Sequence, residues 1–371
     1  MKKVGITGQA GFIGTYLFNY LKIKEEIEVV PFKDTYFDNP DLLNDFVAKC
    51  DVIVHLAAVN RCDDQEKLYQ TNINLVHQLI NALDRMQVTP HIIFSSSIQE
   101  ERDNLYGKSK HKGRELFSLW ARQHQSLFTG LVIPNVFGPF GTPYYNSVVA
   151  TFCYQLTHGQ VPIIDTDGVL QLIYVGELVE CIYQVIFSNK SQEELLIPPS
   201  VKKKVSQVLE LLNIYKEQYY INGIIPDLLS SFKLNLFNTF RSYIDIKKYF
   251  PSLLQENKDE RGSFVEAIKL YAGGQVSYSV TKPGITRGNH YHTRKIERFI
   301  IIQGSARIQI RKIGTSEILE FHVSHEVPTY IDMPIWYTHN ITNVGQGNLL
   351  TLFWINEQFD PNDSDTYFEP V

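Results

Sequence analysis

The chain has 371 residues, 44% hydrophobic and 20% charged, which is enough for two or three hydrophobic cores in an ordinary globular protein. Its formal net charge is −5 and no long basic stripe stands out, which argues against nucleic acid as a partner. The four cysteines form no C-x-x-C pair, glycines interrupt the first apolar run, and no run approaches the roughly 20 apolar residues of a membrane span, so we expect a cytoplasmic protein without membrane insertion.

In the first half of the chain, short apolar runs alternate with amphipathic helical patterns. Strands are predicted at residues 4–7, 28–32, 51–57, 91–97 and 131–136, and helices at 11–22, 72–86, 106–122, 206–212 and 228–249. Continuously apolar strands that alternate with helices indicate an α/β fold, a Rossmann-type doubly wound parallel sheet with both faces covered.

From about residue 271 the pattern changes to short strands that follow one another closely. They are predicted at 275–280, 298–302, 306–310, 317–322, 329–332 and 348–354. This spacing is typical of an all-β sandwich or barrel. A polar stretch at 251–262 separates the two patterns, so we predict one domain at 1–250 and a second at 252–371.

Gly8, Gly11 and Gly14 form a G-x-x-G-x-x-G pattern between the first predicted strand and the first predicted helix. The first glycine permits a tight turn, the second lets a pyrophosphate approach the backbone, and the third lets the helix lie close to the sheet. The phosphates would then meet free N–H groups at a helix N-terminus. The pattern therefore predicts a dinucleotide site.

The end of the second predicted strand carries the residues that would distinguish NADP from NAD. Lys33 could hold a 2′-phosphate, whereas Asp34 could hold a ribose hydroxyl. Lys33 falls at the end of the strand, so we favour NADPH as the cofactor, with NAD left open.

Tyr106 and Lys110 lie four residues apart and share one face of a predicted helix. An ammonium beside a phenol favours the phenolate, so we expect Lys110 to lower the pKa of Tyr106 toward neutrality. Such a phenol can give a proton to a carbonyl oxygen while hydride arrives from a nicotinamide. Ser97 ends the preceding strand and could hydrogen-bond the same oxygen.

Several short motifs together resemble the extended short-chain dehydrogenase/reductase family of nucleotide-sugar enzymes. They lie at 7–14, 55–58, 95–97, 106–110 and 134–138, with Asn72. The resemblance covers about residues 1–250 and implies a catalytic triad of Ser97, Tyr106 and Lys110, with a nucleotide-linked sugar near Asn135. The cofactor contacts that it implies, beside the three glycines, are Phe12, Ile13, Leu56, Ala57 and Lys110.

His290, His292, Glu297 and His339 form a candidate metal cage in the second domain. The first two lie two residues apart, so on a strand their imidazoles face the same way. Three imidazoles and one carboxylate suit Zn²⁺, Fe²⁺, Ni²⁺ or Mn²⁺ better than Ca²⁺ or Mg²⁺. The spacing also resembles both motifs of the cupin family, small jelly-roll barrels, except that Trp336 replaces a usual glycine.

The order of the two domains resembles the bifunctional capsular-polysaccharide enzymes, in which a reductase precedes a cupin. The resemblance implies that the cupin epimerises C3 of UDP-2-acetamido-2,6-dideoxy-β-L-arabino-hexos-4-ulose. It further implies that the reductase then reduces C4 with NADPH, giving UDP-N-acetyl-L-talosamine on the way to UDP-N-acetyl-L-fucosamine. Zinc in the cupin and a homodimer are also implied.

Three alternatives stay open at this point. The chain could be a nucleotide-sugar 4-epimerase or dehydratase with tightly bound NAD⁺. It could be a sugar-binding or sensory module in which the cupin holds a ligand without turnover. The cupin could also be purely structural and mediate dimerisation.

Overall fold

The computed structural model describes residues 1–260 and 262–371, and the chain divides into two compact units. The first unit comprises Met1–Thr151 with Ile164–Ser206, and the second comprises Phe152–Ile163 with Gln207–Val371. This division differs from the predicted boundary near residue 251, because residues 207–250 group with the C-terminal strands. Among the described residues, no helix combines the length and the apolar character needed to cross a membrane.

The first unit is built on mostly parallel strands, many of them connected by helices. The strands are Lys2–Thr7 (β1), Ile27–Val30 (β2), Val52–His55 (β3), His91–Ser97 (β4), Phe128–Ile133 (β5), Asn135–Phe137 (β6), Val169–Tyr174 (β7), Gln192–Leu196 (β8) and Val201–Lys204 (β9). The helices are Phe12–Lys22 (α1), Pro40–Val47 (α2), Gln65–Met86 (α3), Leu105–His124 (α4), Val148–Thr157 (α5) and Val175–Ile186 (α6), of which α5 crosses into the second unit.

Six of these strands form a parallel sheet in the order β2-β1-β3-β4-β5-β8. The chain leaves β1 in one direction to form β2 and returns past β1 to form β3, so the winding reverses between β1 and β3. In open α/β sheets, ligands bind at the carboxyl ends of the strands at such a reversal. Thr7 pairs with His55 there, and the glycine loop that is predicted to bind phosphate follows Thr7 directly.

Burial explains why these segments form a parallel sheet. Every residue of β3 is buried, and β4 is buried up to its final serine. Helices α2, α3 and α4 cover one face through a core that includes Phe46, Leu79 and Phe117. The predicted strand at 131–136 is interrupted at Pro134, which has no N–H to give to a ladder. The chain resumes as β6, in a separate sheet of order β6-β7-β9.

The second unit combines a helical segment with antiparallel strands. Its helices are Val205–Tyr215 (α7, which begins in the first unit), Ser231–Arg241 (α8) and Ile246–Tyr249 (α9). Its strands are Ser252–Leu253 (β10), Glu256–Asp259 (β11), Gly262–Val265 (β12), Gln275–Thr281 (β13), Thr286–Tyr291 (β14), Glu297–Gln303 (β15), Ser305–Lys312 (β16), Ile318–Ser324 (β17), Thr329–Met333 (β18), Tyr337–Asn343 (β19), Leu349–Ile355 (β20) and Tyr367–Phe368 (β21).

Two five-stranded antiparallel sheets dominate this unit, in the orders β10-β18-β15-β20-β13 and β17-β16-β19-β14-β21. Ile300 and Ile331 of the first sheet pack in one core with Ile308 and Ile341 of the second. This arrangement suits the alternation of apolar and polar residues along strands such as β16. The predicted fold class, a doubly wound parallel sheet followed by an all-β cupin-type barrel, is confirmed.

A buried polar network fastens the helical segment to these strands. Arg298 and Asp332 are almost fully buried and form an ion pair, with Nε 2.8 Å from Oδ1. The Tyr219 hydroxyl donates to Asp332 Oδ2 at 2.6 Å, and Arg241 donates to the Tyr219 hydroxyl at 3.2 Å. These bonds show why residues 207–250 belong to the second unit.

Candidate active sites

The glycine loop of the first unit has the geometry of a phosphate cradle. Gly8 has a φ of 68°, and a Cβ there would lie 2.8 Å from the backbone nitrogen of Ala57. A Cβ on Gly14 would lie only 2.1 Å from the Gly8 oxygen. Gly11 is the N-cap of α1 and supplies no side chain to the helix end. The first N–H groups of the helix are therefore accessible to an anionic ligand.

The ends of β1 and β3 are joined beside this loop. Thr7 Oγ1 lies 2.9 Å from His55 Nδ1. The backbone nitrogen of Leu56 donates to the Thr7 oxygen at 3.2 Å, and that of Ala57 donates to Thr7 Oγ1 at 3.4 Å. Leu56 and Ala57 thus lie against the loop, where a cofactor contact was predicted. Phe12 and Ile13 form the first turn of α1.

Lys110 is buried on α4, and its ammonium donates to the backbone oxygen of Ser95 at 3.0 Å. Its Nζ lies 5.9 Å from the centre of the Tyr106 ring, so the two side chains are neighbours. Burial lowers the pKa of Lys110 to about 8. Burial, helped by Tyr145, raises the pKa of Tyr106 above its usual value, so the expected lowering of this pKa by Lys110 is not observed. The physical reason is that burial destabilises the phenolate by more than the Lys110 ammonium, which is directed at Ser95, stabilises it.

The three serines that end β4 have different surroundings. The Ser95 hydroxyl donates to the His55 oxygen at 3.1 Å, and the Ser96 hydroxyl donates to Glu100. Ser97 accepts from the Gln99 backbone nitrogen at 3.2 Å, and no acceptor within residues 1–260 or 262–371 takes its hydroxyl proton. Ser97 therefore retains a donor for a ligand, as its predicted role requires.

A short turn brings Ser97 and Tyr106 onto adjoining segments. Residues Ile98–Glu101 form a 3₁₀ helix, and Asn104 caps α4 by accepting from the Gly107 nitrogen at 2.7 Å. Gly107 packs so closely on this turn that a Cβ would lie 2.0 Å from the Gln99 oxygen.

Two further predicted ligand residues are not bonded to this cluster. Lys33 is exposed, just beyond β2 and directly before Asp34. Asn135 is half-buried at the start of β6. In the described part of the chain, no hydrogen bond or ion pair connects either of them to the other predicted residues, so their roles stay predictions.

The loop that faces Tyr106 had no role predicted from the sequence. The Tyr145 hydroxyl accepts from the Asn60 nitrogen at 3.2 Å, and Arg61 donates to the Tyr144 oxygen at 2.8 Å. Tyr145 is close enough to affect the pKa of Tyr106. No local motif marks this pairing, because 85 residues separate Asn60 from Tyr145.

In the second unit, strands β14, β15 and β19 bring the four predicted metal ligands together. One potential ligand atom from each of His290, His292, Glu297 and His339 lies within 4.8 Å of the others. Glu297 Oε2 lies 3.0 Å from His339 Nε2 and 3.2 Å from His292 Nε2. His292 Nε2 is buried and makes no well-directed hydrogen bond.

The pKa values of His290 and Glu297 suit a cation. Burial, together with His339, lowers the pKa of His290 to about 4, which keeps its imidazole neutral. Burial would raise the pKa of Glu297, but its imidazole neighbours outweigh that effect and hold the pKa well below its usual value. A buried imidazole nitrogen that makes no well-directed hydrogen bond and lies beside a carboxylate fits a transition-metal ion such as Zn²⁺.

Trp336, which replaces the usual glycine of the second cupin motif, supports the cluster. Its φ is 62°, a backbone conformation that favours glycine. Its backbone N–H donates to the His292 oxygen at 2.8 Å, and its ring stacks on Tyr291 at 5.6 Å. The substitution leaves the ligands in place.

Comparison with known proteins identifies the family. Residues 4–197 match the NAD dependent epimerase/dehydratase family, and residues 257–367 match the polysaccharide biosynthesis C-terminal domain. The chain is 32% identical over 367 residues to the UDP-2-acetamido-2,6-beta-L-arabino-hexul-4-ose reductase of Pseudomonas aeruginosa, covering 98% of each protein. The chain belongs to the NAD-dependent epimerase/dehydratase family.

Solved structures give a more specific comparison. It is similar to the capsular polysaccharide assembling protein CapF from Staphylococcus aureus, with 35% identity, a TM-score of 0.62 and 100% coverage of both chains. The predicted resemblance to this capsular-polysaccharide protein is thereby confirmed. UDP-glucose 4-epimerase from Thermotoga maritima shares the fold, with 20% identity, a TM-score of 0.52 and coverage of 58% of this chain and 83% of its own.

Proposed function

We propose that the chain is a bifunctional nucleotide-sugar enzyme of polysaccharide biosynthesis. The C-terminal cupin would epimerise C3 of UDP-2-acetamido-2,6-dideoxy-β-L-arabino-hexos-4-ulose, and the N-terminal reductase would then reduce C4 to UDP-N-acetyl-L-talosamine. The observation that carries this proposal is similarity along 98% of the chain to a protein named as a UDP-sugar keto reductase. The two predicted clusters support it. The four predicted metal ligands lie together, and the side chains of Tyr106 and Lys110 are neighbours.

Three residues of the first unit would handle the carbonyl at C4. NADPH, when bound, supplies the hydride. Tyr106 gives the proton: its raised pKa keeps the phenol protonated at neutral pH, which is the form a proton donor needs. Ser97 has a hydroxyl proton available to orient the carbonyl oxygen. Lys110, whose Nζ lies 5.9 Å from the centre of the Tyr106 ring, would place a positive charge near the alkoxide that develops there.

The cofactor would occupy the carboxyl edge of the parallel sheet. Gly8, Gly11 and Gly14 leave room for the pyrophosphate at the start of α1. Lys33, exposed beyond β2, would pair with the 2′-phosphate that distinguishes NADPH from NADH. Asn135 would contact the nucleotide-linked sugar.

The second unit would carry out the epimerisation. Its four ligands would hold Zn²⁺ or a similar divalent ion, which supplies a Lewis acid. The C–H bond next to a carbonyl is acidic, so deprotonation followed by protonation from the other face inverts C3. Reduction must come second, because the C3 hydrogen loses its acidity once C4 is an alcohol.

The same proposal covers the organisation of the protein. We assign the reductase to 1–250 and the cupin to 252–371 as functional domains, although residues 207–250 pack in the second unit. We further propose a cytoplasmic homodimer.

Incubation with the 4-keto UDP-sugar and NADPH in D₂O tests both activities together. We expect one equivalent of NADPH to be consumed for each product, with one deuterium at C3 in the NMR spectrum. Product formation without net NADPH consumption would instead support an epimerase that retains NAD⁺. Binding of the sugar without turnover would support a binding module.

A further inference from the structure

The last residues of the chain lie directly against the strand that carries the first metal ligands. In β21, Phe368 pairs with His290 and Tyr367 pairs with Tyr291. The Glu369 nitrogen then donates to the Asn289 oxygen at 2.9 Å. Strand β21, within the C-terminal segment 365–369, is therefore an added edge strand of the sheet that carries His290 and His339.

Asp365 begins this segment and is only 3% exposed. Its Oδ1 accepts from the nitrogen of Thr293 at 3.0 Å and from its hydroxyl at 2.7 Å. Its Oδ2 accepts from the backbone nitrogens of Arg294 at 3.0 Å and Lys295 at 2.9 Å. One buried carboxylate thus holds the whole turn that connects His292 to the β15 strand of Glu297.

The backbone oxygen of the same residue contacts a metal ligand. It lies 2.5 Å from His292 Nδ1. A carbonyl oxygen can only accept, so Nδ1 must carry the proton, and in the neutral imidazole that binds a metal the lone pair is then on Nε2, the atom that faces Glu297. Asp365 has a φ of 40°, which aspartate tolerates better than most residues and which lets its two groups serve the turn and the imidazole together.

We propose that Asp365 is a positioning residue of the metal site, and that the C-terminal segment 365–369 is a functional part of it. This proposal rests on the proposed metal site. The Asp365 carbonyl fixes the tautomer and ring orientation of His292, and the Asp365 carboxylate fixes the turn that carries the ring. An imidazole ligand held through its second nitrogen binds metal more tightly than a free one.

The exposed side of the turn provides a matched control. Arg294 donates to Asp363, which is 69% exposed, and to Glu357, which is 28% exposed. Asp363 lies two residues from Asp365 and carries the same charge, but among the described residues none of its hydrogen bonds or ion pairs reaches the turn backbone or His292. Losing its charge should leave the imidazole where it is.

Metal affinity of the full-length protein tests the proposal directly. Zn²⁺ dissociation constants would be measured by competition with a chromophoric chelator for wild type, Asp365→Asn, Asp365→Ala, Asp363→Asn and His339→Ala. We expect about 10- to 100-fold weaker binding for Asp365→Ala, a smaller loss for Asp365→Asn, and wild-type affinity for Asp363→Asn. The visible absorption bands of the Co²⁺-loaded protein should also change in the Asp365 variants, because His292 reorients.

The outcomes separate this proposal from the one on which it rests. Wild-type Zn²⁺ affinity and an unchanged Co²⁺ spectrum in Asp365→Ala, together with loss of metal in His339→Ala, would overturn the positioning role and leave the metal site intact. A wild-type protein that binds no Zn²⁺ would overturn both. If Asp365→Ala fails to fold, Asp365→Asn decides by the same two measurements.

Discussion

The Lys110 ammonium lies 3.0 Å from the backbone oxygen of Ser95, the first of the three serines that end β4. This bond connects the α4 helix of Tyr106 to the strand of Ser97. It also keeps a cation in a buried position, where the charged form is disfavoured and the pKa of Lys110 falls to about 8.

The reduction should therefore weaken at alkaline pH. Below about pH 8 Lys110 is charged and can stabilise the developing alkoxide, and above that pH the charge is lost. We expect kcat/KM for reduction to fall above about pH 8. In Lys110→Met this alkaline limb should vanish while kcat/KM drops by about 100-fold or more at neutral pH. An alkaline limb that persists unchanged in Lys110→Met would show that another group titrates.

Gly14→Ala tests the phosphate cradle. The new Cβ would lie 2.1 Å from the Gly8 oxygen, so the loop must move away from the helix. We expect the dissociation constant for NADPH, measured by fluorescence titration, to rise by about tenfold or more. Gly168→Ala is the control, because its Cβ would meet nothing within 4 Å. Equal affinities in the two variants would contradict the predicted cradle.

Cofactor preference distinguishes the roles of the two charged residues, Lys33 and Asp34, that follow β2. We expect Lys33→Ala to raise KM for NADPH by about tenfold or more while KM for NADH changes little, since an ion-paired hydrogen bond to the 2′-phosphate is lost. Asp34→Ala should affect NADH more than NADPH. The reverse pattern would assign the enzyme to NAD.

The Arg298–Asp332 pair should be important for the stability of the second unit. Asp332→Asn leaves a buried guanidinium without its carboxylate, and we expect the free energy of unfolding in urea to fall by about 3 kcal/mol. Glu317→Gln breaks an exposed pair with Lys247 and should leave the free energy of unfolding close to that of wild type, because solvent screens such a pair. Similar losses of unfolding free energy in both variants would show that the buried pair stabilises the protein no more than the exposed pair does.

Local patterns predicted the parts of the sites that lie close together in sequence. The spacing of Gly8, Gly11 and Gly14 reports a steric requirement within one turn, and His290, His292 and Glu297 lie within eight residues. His339 was predicted from the second cupin motif, and strand pairing brings it opposite His290.

Long-range pairing explains what the sequence did not show. Asp365 lies 73 residues from His292, and the two residues of β21 are too few to give an alternating pattern. The side chains of Arg298 and Asp332 are paired by the register of β15 and β18, which no local pattern encodes. The pKa of Tyr106 was expected in the wrong direction because burial depends on the packed environment and not on the four-residue spacing to Lys110.

Tyr106→Phe provides the most direct measurement of the central claim, that Tyr106 protonates the carbonyl which the nicotinamide reduces. The readouts are NADPH oxidation and deuterium incorporation at C3, with the 4-keto UDP-sugar in D₂O. We predict that Tyr106→Phe incorporates deuterium at the wild-type rate but oxidises NADPH at least about 100-fold more slowly. NADPH oxidation at the wild-type rate in Tyr106→Phe would contradict the account.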